Sequence, residues 1–106
     1  MSKVYLTNHA YNRMKERTGI SKRAADRLGR KAYEDGIGRE EVKGSLYRYI
    51  TSSVRNHNRD GADVKIYGEM VYCFLNQSNG VILLTVFGLP NDLKNQALGV
   101  QKRKTA

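Results

Sequence analysis

The sequence has a single cysteine, Cys73, so an internal disulfide cannot form. Cys73 lies in the apolar run at residues 71–75, where we expect a small buried hydrophobe rather than a nucleophile. Long apolar runs are lacking too, because the longest one, at residues 81–87, contains Thr85 and is far too short to span a bilayer. The N-terminal segment is polar and holds no signal-peptide core. We therefore expect a cytoplasmic protein with no membrane partner.

Residue patterns for several kinds of chemistry are also missing. His9 and His57 stand far apart, and neither belongs to a pair with metal-ligand spacing, so we expect no zinc site. No glycine-rich loop follows a strand-like segment, which argues against a nucleotide phosphate loop. A serine–histidine–aspartate triad finds no local support. We therefore expect neither a metal nor a cofactor, and any catalysis would be metal-free.

Acidic residues are scarce relative to basic ones. The chain has 10 Asp and Glu against 19 Lys and Arg, which gives a net charge of +9. Such an excess favours a polyanion or an acidic protein as the partner, and the alternative is a soluble protein that happens to be basic. The length of 106 residues fits one domain with one modest core. We place the compact part at residues 1–91 and a polar, basic, frayed tail at residues 92–106.

The spacing of apolar residues predicts helices in the first half of the chain. A short strand and three helices come first, at residues 3–7, 8–18, 22–35 and 39–55. Thr7 or Asn8 is the expected N-cap of the first helix and Ser21 that of the second. Glu40 and Glu41 would then stand in the first turn of the third helix, where the helix dipole favours acids.

After a loop at residues 56–61 the apolar period becomes strand-like. Three strands follow, at residues 63–67, 70–75 and 81–87. Gly68-Glu69 fits a type II′ hairpin turn between the first two. The order predicts an α+β fold, with N-terminal helices packed on one face of a C-terminal, three- to four-stranded antiparallel sheet. The other face, or one edge, would be left for function, and an exposed edge could also pair to form a dimer.

A row of basic side chains follows one side of the first helix. His9, Arg13 and Arg17 are four residues apart each time, so they share a helix face. An imidazole that exchanges protons near neutral pH, beside two fixed cations, suits a phosphate ligand. The alternative is an ordinary solvated face on which Arg13 pairs with Glu16.

The outer face of the second helix is basic as well, and we predict that it binds nucleic acid or a partner protein. Its residues are Lys22, Arg23, Arg27, Arg30 and Lys31. Tyr67 and Tyr72 could stack on bases or donate a proton, or else simply pack at the margin of the core. Thr85 is the polar side chain of an otherwise apolar strand, so its hydroxyl must find a partner. The alternative for Thr85 is a core residue bonded to the backbone.

Metal-free cleavage of an RNA phosphodiester requires a base, an acid and cations that stabilise the developing charge. His9 could serve as the base or the acid, while Arg13 and Arg17 could hold the phosphate.

These residues form a recognisable pattern. Thr7-Asn8-His9-Ala10 is followed by Arg13, Glu16, Arg17 and Gly19-Ile20-Ser21, and Leu83-Leu84-Thr85-Val86 precedes Leu89-Pro90. From Thr7 to Pro90 the chain resembles small phage and prophage domains, which are similar in layout to the RelE-like and barnase/EndoU-like toxin ribonucleases. The resemblance implies a RelE-like α+β fold, an RNA-facing sheet, and His9, Arg13, Arg17 and Thr85 as the catalytic set.

Three functions follow as hypotheses. The first is a RelE-like domain that binds RNA or a nucleic-acid-associated complex, with or without metal-independent ribonuclease activity. The second is a non-catalytic, phage-encoded inhibitor of a host defence nuclease, comparable to an anti-CRISPR protein, which would bind a ribonucleoprotein or an acidic or nucleic-acid-binding protein surface. The third is a plain nucleic-acid binder that uses the basic face of the second helix.

Overall fold

The computed structural model of the chain describes residues 3–56 and 62–105. The elements are β1 (Val4–Leu6), α1 (Asn8–Thr18), α2 (Lys22–Asp35), a 3-10 helix (Arg39–Glu41), α3 (Gly44–Asn56), β2 (Ala62–Tyr67), β3 (Met70–Gln77), β4 (Gly80–Gly88) and α4 (Asn91–Thr105). The fold is α+β, as predicted, with three helices before the meander of strands and one helix after it. No helix within these ranges is long and apolar enough to cross a bilayer.

The first two helices begin where their capping residues predict. The Thr7 hydroxyl accepts a hydrogen bond from the Ala10 N–H at 3.0 Å, and the Ser21 hydroxyl accepts one from the Ala24 N–H at 3.3 Å. Each bond satisfies a backbone donor that the first helical turn leaves without a partner. Gly19 ends α1 in the left-handed conformation, with φ of 67°.

The third helix begins at Gly44 and not at residue 39, so that prediction is wrong. Residues 39–41 form a separate 3-10 turn, in which the Glu41 carboxylate accepts a bond from the Gly38 N–H at 3.0 Å. Gly44 has φ of 66°, which no residue inside a continuous right-handed helix adopts. Glu40 and Glu41 therefore belong to this turn rather than to α3. Most of the predicted loop at 56–61 lies outside the described residues.

The sheet has the order β1-β4-β3-β2. β2, β3 and β4 form the predicted antiparallel meander, but β1 runs parallel to β4, with Val4 opposite Val81 and Leu6 opposite Leu83. The sheet is therefore mixed, and the prediction of a wholly antiparallel sheet is wrong. A hairpin turn forces its two strands to be antiparallel, whereas β1 and β4 are joined through several elements that leave either direction open.

The two hairpins of the meander differ in regularity. Gly68 has φ of 63° while Glu69 has a negative φ, which is the φ pattern of the predicted type II′ turn. The pairing of β3 with β4 shifts between Cys73 and Phe74, since Cys73 faces Thr85 and Phe74 faces Leu83. The residue between Thr85 and Leu83 is left without a partner on β3, which marks a β-bulge.

Helices cover both faces of the sheet, so the prediction of one open face is wrong. Val71 and Cys73 of β3 lie in a core cluster with side chains of α3 and α4, whereas Tyr72 and Phe74 lie in a second cluster with side chains of α1 and α2. Successive strand residues point to opposite faces, and a strand with apolar residues on both faces needs cover on both. Cys73 is the buried hydrophobe predicted, and its burial raises the pKa of the thiol to about 12.

The C-terminal segment is a helix, not a frayed tail. Leu93 and Ala97 of α4 are 7% and 1% exposed, and they pack into the same core cluster as α3. The Lys104 ammonium donates to the Gly36 carbonyl at 2.7 Å and to the Glu41 carboxylate at 2.9 Å. Leu93 and Ala97 form a short apolar stripe in a mostly polar segment. The sequence pattern does not predict this helix, because its stability depends on packing against the sheet.

Candidate functional site

The first helix brings His9 against Thr85 of β4. The two residues are 76 positions apart in the chain, and His9 Nε2 lies 3.1 Å from Thr85 Oγ1. Either atom can be the donor, depending on the tautomer of the imidazole. The Thr85 hydroxyl therefore has the hydrogen-bond partner that we expect for a polar group in an apolar strand. This partner is the His9 side chain. His9 is exposed and Thr85 is half-buried, so the ring stands open to solvent with the hydroxyl behind it.

Thr7 joins the beginning of α1 to the bulge in β4. Its hydroxyl accepts from the Ala10 N–H at 3.0 Å and donates to the Leu84 carbonyl at 3.0 Å, and Leu84 is the residue that the bulge leaves unpaired. The Thr7 side chain thus bonds both Ala10, the residue after His9, and Leu84, the residue before Thr85. From the sequence we could assign Thr7 only as a helix cap, because the second bond depends on the sheet pairing.

Arg17 ends the row at the other end of α1. Its guanidinium lies against Gly88, the last residue of β4, and a Cβ on Gly88 would come within 2.8 Å of Arg17 Nη1. A glycine at this position therefore leaves room for the guanidinium. A cation in the last helical turn also interacts favourably with the helix dipole, which is the structural alternative for Arg17.

Arg13 occupies the middle of the row and is exposed. Arg13 Nη1 lies 3.7 Å from Glu16 Oε2, so the pairing that we considered from the sequence is present. The two side chains are 53% and 66% exposed, and an ion pair this open contributes little to stability. Arg13 lies about 6 Å along the helix axis from His9, and Arg17 about 12 Å. Arg13 is thus the cation that could share one phosphate with His9.

The five basic residues predicted on α2 are all exposed. Four of them line an open cavity of about 540 Å³ on this helix: Lys22, Arg23, Arg27 and Arg30. Lys31 is exposed but does not line this cavity. Lys22 is partly neutralised, because its ammonium lies 2.7 Å from the Asp26 carboxylate.

The two predicted tyrosines differ in what they can touch. Tyr72 is 1% exposed, and its ring stacks on Phe74 with 6.2 Å between centroids, which contradicts a contact with bases. Burial raises the pKa of its hydroxyl well above the ordinary value, with a smaller contribution from Tyr67, so Tyr72 is also a poor proton donor. Tyr67 is half-buried against the same cluster, which favours the packing interpretation.

Comparison with known proteins assigns no family to the chain. No family model matches the chain, and no curated protein sequence matches it. Among residues 3–56 and 62–105, no three His, Cys, Asp or Glu side chains are grouped so that they could hold a metal ion. The functional assignment therefore depends on the arrangement of α1 and β4.

Proposed function

We propose that this chain is a RelE-like RNA-binding domain that cleaves RNA phosphodiesters at the α1/β4 site. The observation that carries the proposal is the contact of His9 with Thr85. It orients an exposed imidazole on a helix face that also presents two arginines. The order of elements supports the RelE-like layout, with a strand and two helices at the start and a three-stranded meander later, and with α3 as an added helix between them.

His9 acts as the general base in this proposal. The proposal uses the tautomer in which Nε2–H donates to Thr85 Oγ1, because the lone pair then resides on Nδ1. Nδ1 takes the proton of the ribose 2′-hydroxyl, the 2′-oxygen bonds to the adjacent phosphorus, and the bond to the 5′-oxygen breaks. The leaving oxygen takes a proton from water at this exposed site. The products are a 2′,3′-cyclic phosphate and a 5′-hydroxyl end.

Positive charge around His9 stabilises the developing negative charge on the phosphate. In this proposal Arg13, one turn along the helix, contacts the phosphate under attack, and Arg17 contacts a neighbouring one. α1 begins beside Thr85 and has no acid in its first turn, so the positive end of the helix dipole adds to the site.

The test is RNA cleavage in the presence of a metal chelator. We expect His9→Ala to lower the cleavage rate roughly 100-fold or more, as typical of a lost general base. Thr85→Val keeps the shape of the side chain but removes the hydroxyl, and we expect a roughly 10-fold loss from the less oriented ring. Lys102→Ala, an exposed cation on α4, is the matched control and should cleave like the wild type.

Two outcomes would overturn the proposal. Cleavage by His9→Ala at the wild-type rate would remove His9 from the chemistry. Absence of cleavage by the folded wild-type protein on any RNA or ribosome preparation would instead favour the non-catalytic inhibitor. Circular dichroism of each variant separates a lost reaction from a lost fold.

A further inference from the structure

Three arginines follow the outer side of α2. Arg23, Arg27 and Arg30 are spaced by four and then three residues, which places them on one side of the helix. All three are exposed, and they line the open cavity of about 540 Å³ on this helix. At the rise of an α-helix they span about 10 Å. We call these three residues the arginine row.

The acidic residues of α2 do not balance the charge of the arginine row. Asp26 is half-buried, and its carboxylate lies 2.7 Å from the Lys22 ammonium, so it pairs with a lysine outside the row. Glu34 and Asp35 lie in the last turn of the helix, beyond the end of the row. Lys31 is exposed and adds a further positive charge. The outer side of α2 therefore attracts an anionic ligand.

The aromatic rings near α2 do not reach the arginine row. Tyr11 and Tyr33, the aromatic residues of α1 and α2, are half-buried and pack against the core cluster beneath these helices. Tyr5 of β1 is exposed, but its ring lies over Gly80, whereas its neighbours in the strand pack on Gly29 of α2. Tyr5 therefore points to the opposite face of the sheet.

A row of cations without rings favours one kind of nucleic acid. Proteins that hold single strands combine a cationic surface with aromatic rings on which the bases stack. A duplex keeps its bases stacked inside and presents its phosphates outside, so cations alone can hold it. The arginine row therefore fits the backbone of a duplex better than it fits a single strand.

The arginine row begins close to the helix of the α1/β4 site. Both helices pack on the same face of the sheet. The Lys22 ammonium, directly before the row, lies 5.7 Å from the ring centre of Tyr11, and Tyr11 follows His9 by two residues. One RNA molecule is therefore within reach of both helices. Attack of a 2′-hydroxyl needs an in-line arrangement that a regular duplex does not reach, so the cleaved strand itself must be unpaired.

We propose that the arginine row of α2 binds the phosphate backbone of a double-stranded RNA stem that flanks the unpaired strand cleaved at the α1/β4 site. The inference rests on the proposed function in taking RNA as the ligand. Each guanidinium donates two parallel hydrogen bonds to a phosphate, and a row of about 10 Å covers about three phosphates of one strand. Such contacts position the stem without reading its sequence.

The decisive measurement is fluorescence anisotropy with 2′-O-methyl RNA, which lacks the 2′-hydroxyl and cannot be cleaved by the proposed chemistry. The probes are a short labelled duplex, one of its strands alone, and a DNA duplex of the same sequence. We expect the wild type to bind the RNA duplex most tightly. Arg23→Gln with Arg27→Gln should weaken this binding roughly 10-fold or more and lower the salt dependence by roughly one unit of slope per lost phosphate contact.

Lys102→Gln with Arg103→Gln is the matched control, because it removes the same charge from exposed positions on α4. It should bind the RNA duplex like the wild type. Equal losses in the two double variants would show attraction to overall charge and overturn the proposal. Unchanged duplex binding by the Arg23/Arg27 variant would overturn it as well and favour an acidic protein surface as the ligand. Tighter binding of the wild type to the single strand or to DNA would also contradict it.

Cleavage separates this proposal from the proposed function. The Arg23/Arg27 variant should cleave a free single strand like the wild type, but should cleave a strand beside a stem more slowly at low RNA concentration. His9→Ala should bind the RNA duplex like the wild type. A protein that binds the duplex through the arginine row but cleaves no RNA would overturn the proposed function alone. A protein that cleaves RNA but does not prefer the duplex would overturn only the stem-binding role of α2.

Discussion

The two faces of the sheet are packed by different kinds of helix residue. On one face, the buried side chains of α1 and α2 are mostly small: Ala10, Ala25 and Ala32 are all 0% exposed against the large Tyr72 and Phe74 of the sheet, and Met14 is the larger exception. On the other face, the buried positions of α3 are larger aliphatic residues, and α4 adds one more. They are Leu46, Ile50 and Leu93.

Small contact residues let a helix backbone approach the sheet closely. A Cβ on Gly29 of α2 would come within 3.0 Å of the Leu6 side chain, so this helix lies almost directly on β1. Because α1 and α2 pack closely on the sheet, the basic residues on their outer sides are held at fixed distances from the strand ends. We infer that the α1/α2 face carries function, whereas the α3/α4 face mainly supplies stability.

The largest expected effect comes from two core variants, one on each face of the sheet, whose stability and RNA cleavage are compared. Leu46→Ala on α3 and Met14→Ala on α1 each remove a side chain that is 0% exposed, and each should lower the free energy of unfolding by about 3 kcal/mol. Only Met14→Ala should also lower RNA cleavage, because Met14 packs α1, the helix that carries His9, against the sheet. Urea unfolding and cleavage rates at low temperature check both. Equal activity losses would mean that the two faces are not functionally distinct.

The next effect concerns the bond that fastens α1 to β4. Thr7→Val keeps the shape of the side chain but removes both hydroxyl hydrogen bonds, and we expect a loss of about 1–2 kcal/mol in stability. Cleavage should fall as well, since the His9–Thr85 geometry is no longer held. Thr7→Ser keeps the hydroxyl and is the control. A Thr7→Val protein that cleaves as fast as Thr7→Ser would contradict this positioning role.

A smaller effect tests how closely α2 approaches the sheet. Gly99 lies inside α4, where a Cβ would meet only the flexible end of Arg103 at 3.8 Å, so Gly99→Ala should stabilise by about 0.5–1 kcal/mol through helix propensity. Gly29→Ala gains the same propensity but its Cβ would come within 3.0 Å of the Leu6 side chain, and we expect it to destabilise by about 0.5–1 kcal/mol. Thermal unfolding compares the two. Equal stabilisation would show that Leu6 can move aside.

The smallest effect depends on pH and lies on the α3/α4 face. Burial raises the pKa of Glu41, but the Gly38 N–H and the Lys104 ammonium outweigh it and hold the pKa below its ordinary value of 4.5. Glu41→Gln should therefore cost about 0.5 kcal/mol near neutral pH, as is usual for an exposed pair. Because the folded pKa is lowered, the difference is fully present above pH 4.5 and should shrink as the pH falls through the folded pKa. A difference that stays constant down to the acid limit of folding would rule out an ionic contribution.

Local chemistry explains which elements could be predicted. The hydroxyls of Thr7 and Ser21 and the left-handed Gly19 act on backbone groups within a few residues, so the limits of α1 and α2 can be read directly. The hairpin at Gly68 is local in the same sense. Apolar spacing predicts a start for the third helix that is too early, because it does not reveal the positive φ of Gly44.

The candidate site could be predicted only in part. Helical spacing places His9, Arg13 and Arg17 on one side of α1, and burial of the surrounding strand demands a partner for Thr85. That His9 is this partner depends on a contact across 76 residues, and local spacing contains no information about it. The sequence does not predict the burial of Tyr72, because the number of helices that cover the sheet is also a non-local property.

The amino-acid order alone thus decides the helix caps, the basic side of α1 and α2, the hairpins and the alternation of β2. These features depend on interactions within a few residues or on composition. The parallel pairing of β1, the bulge bonded to Thr7 and the cover provided by α4 are decided only by the tertiary structure. They arise when distant segments compete to bury the two faces of one sheet, and that competition depends on the whole chain.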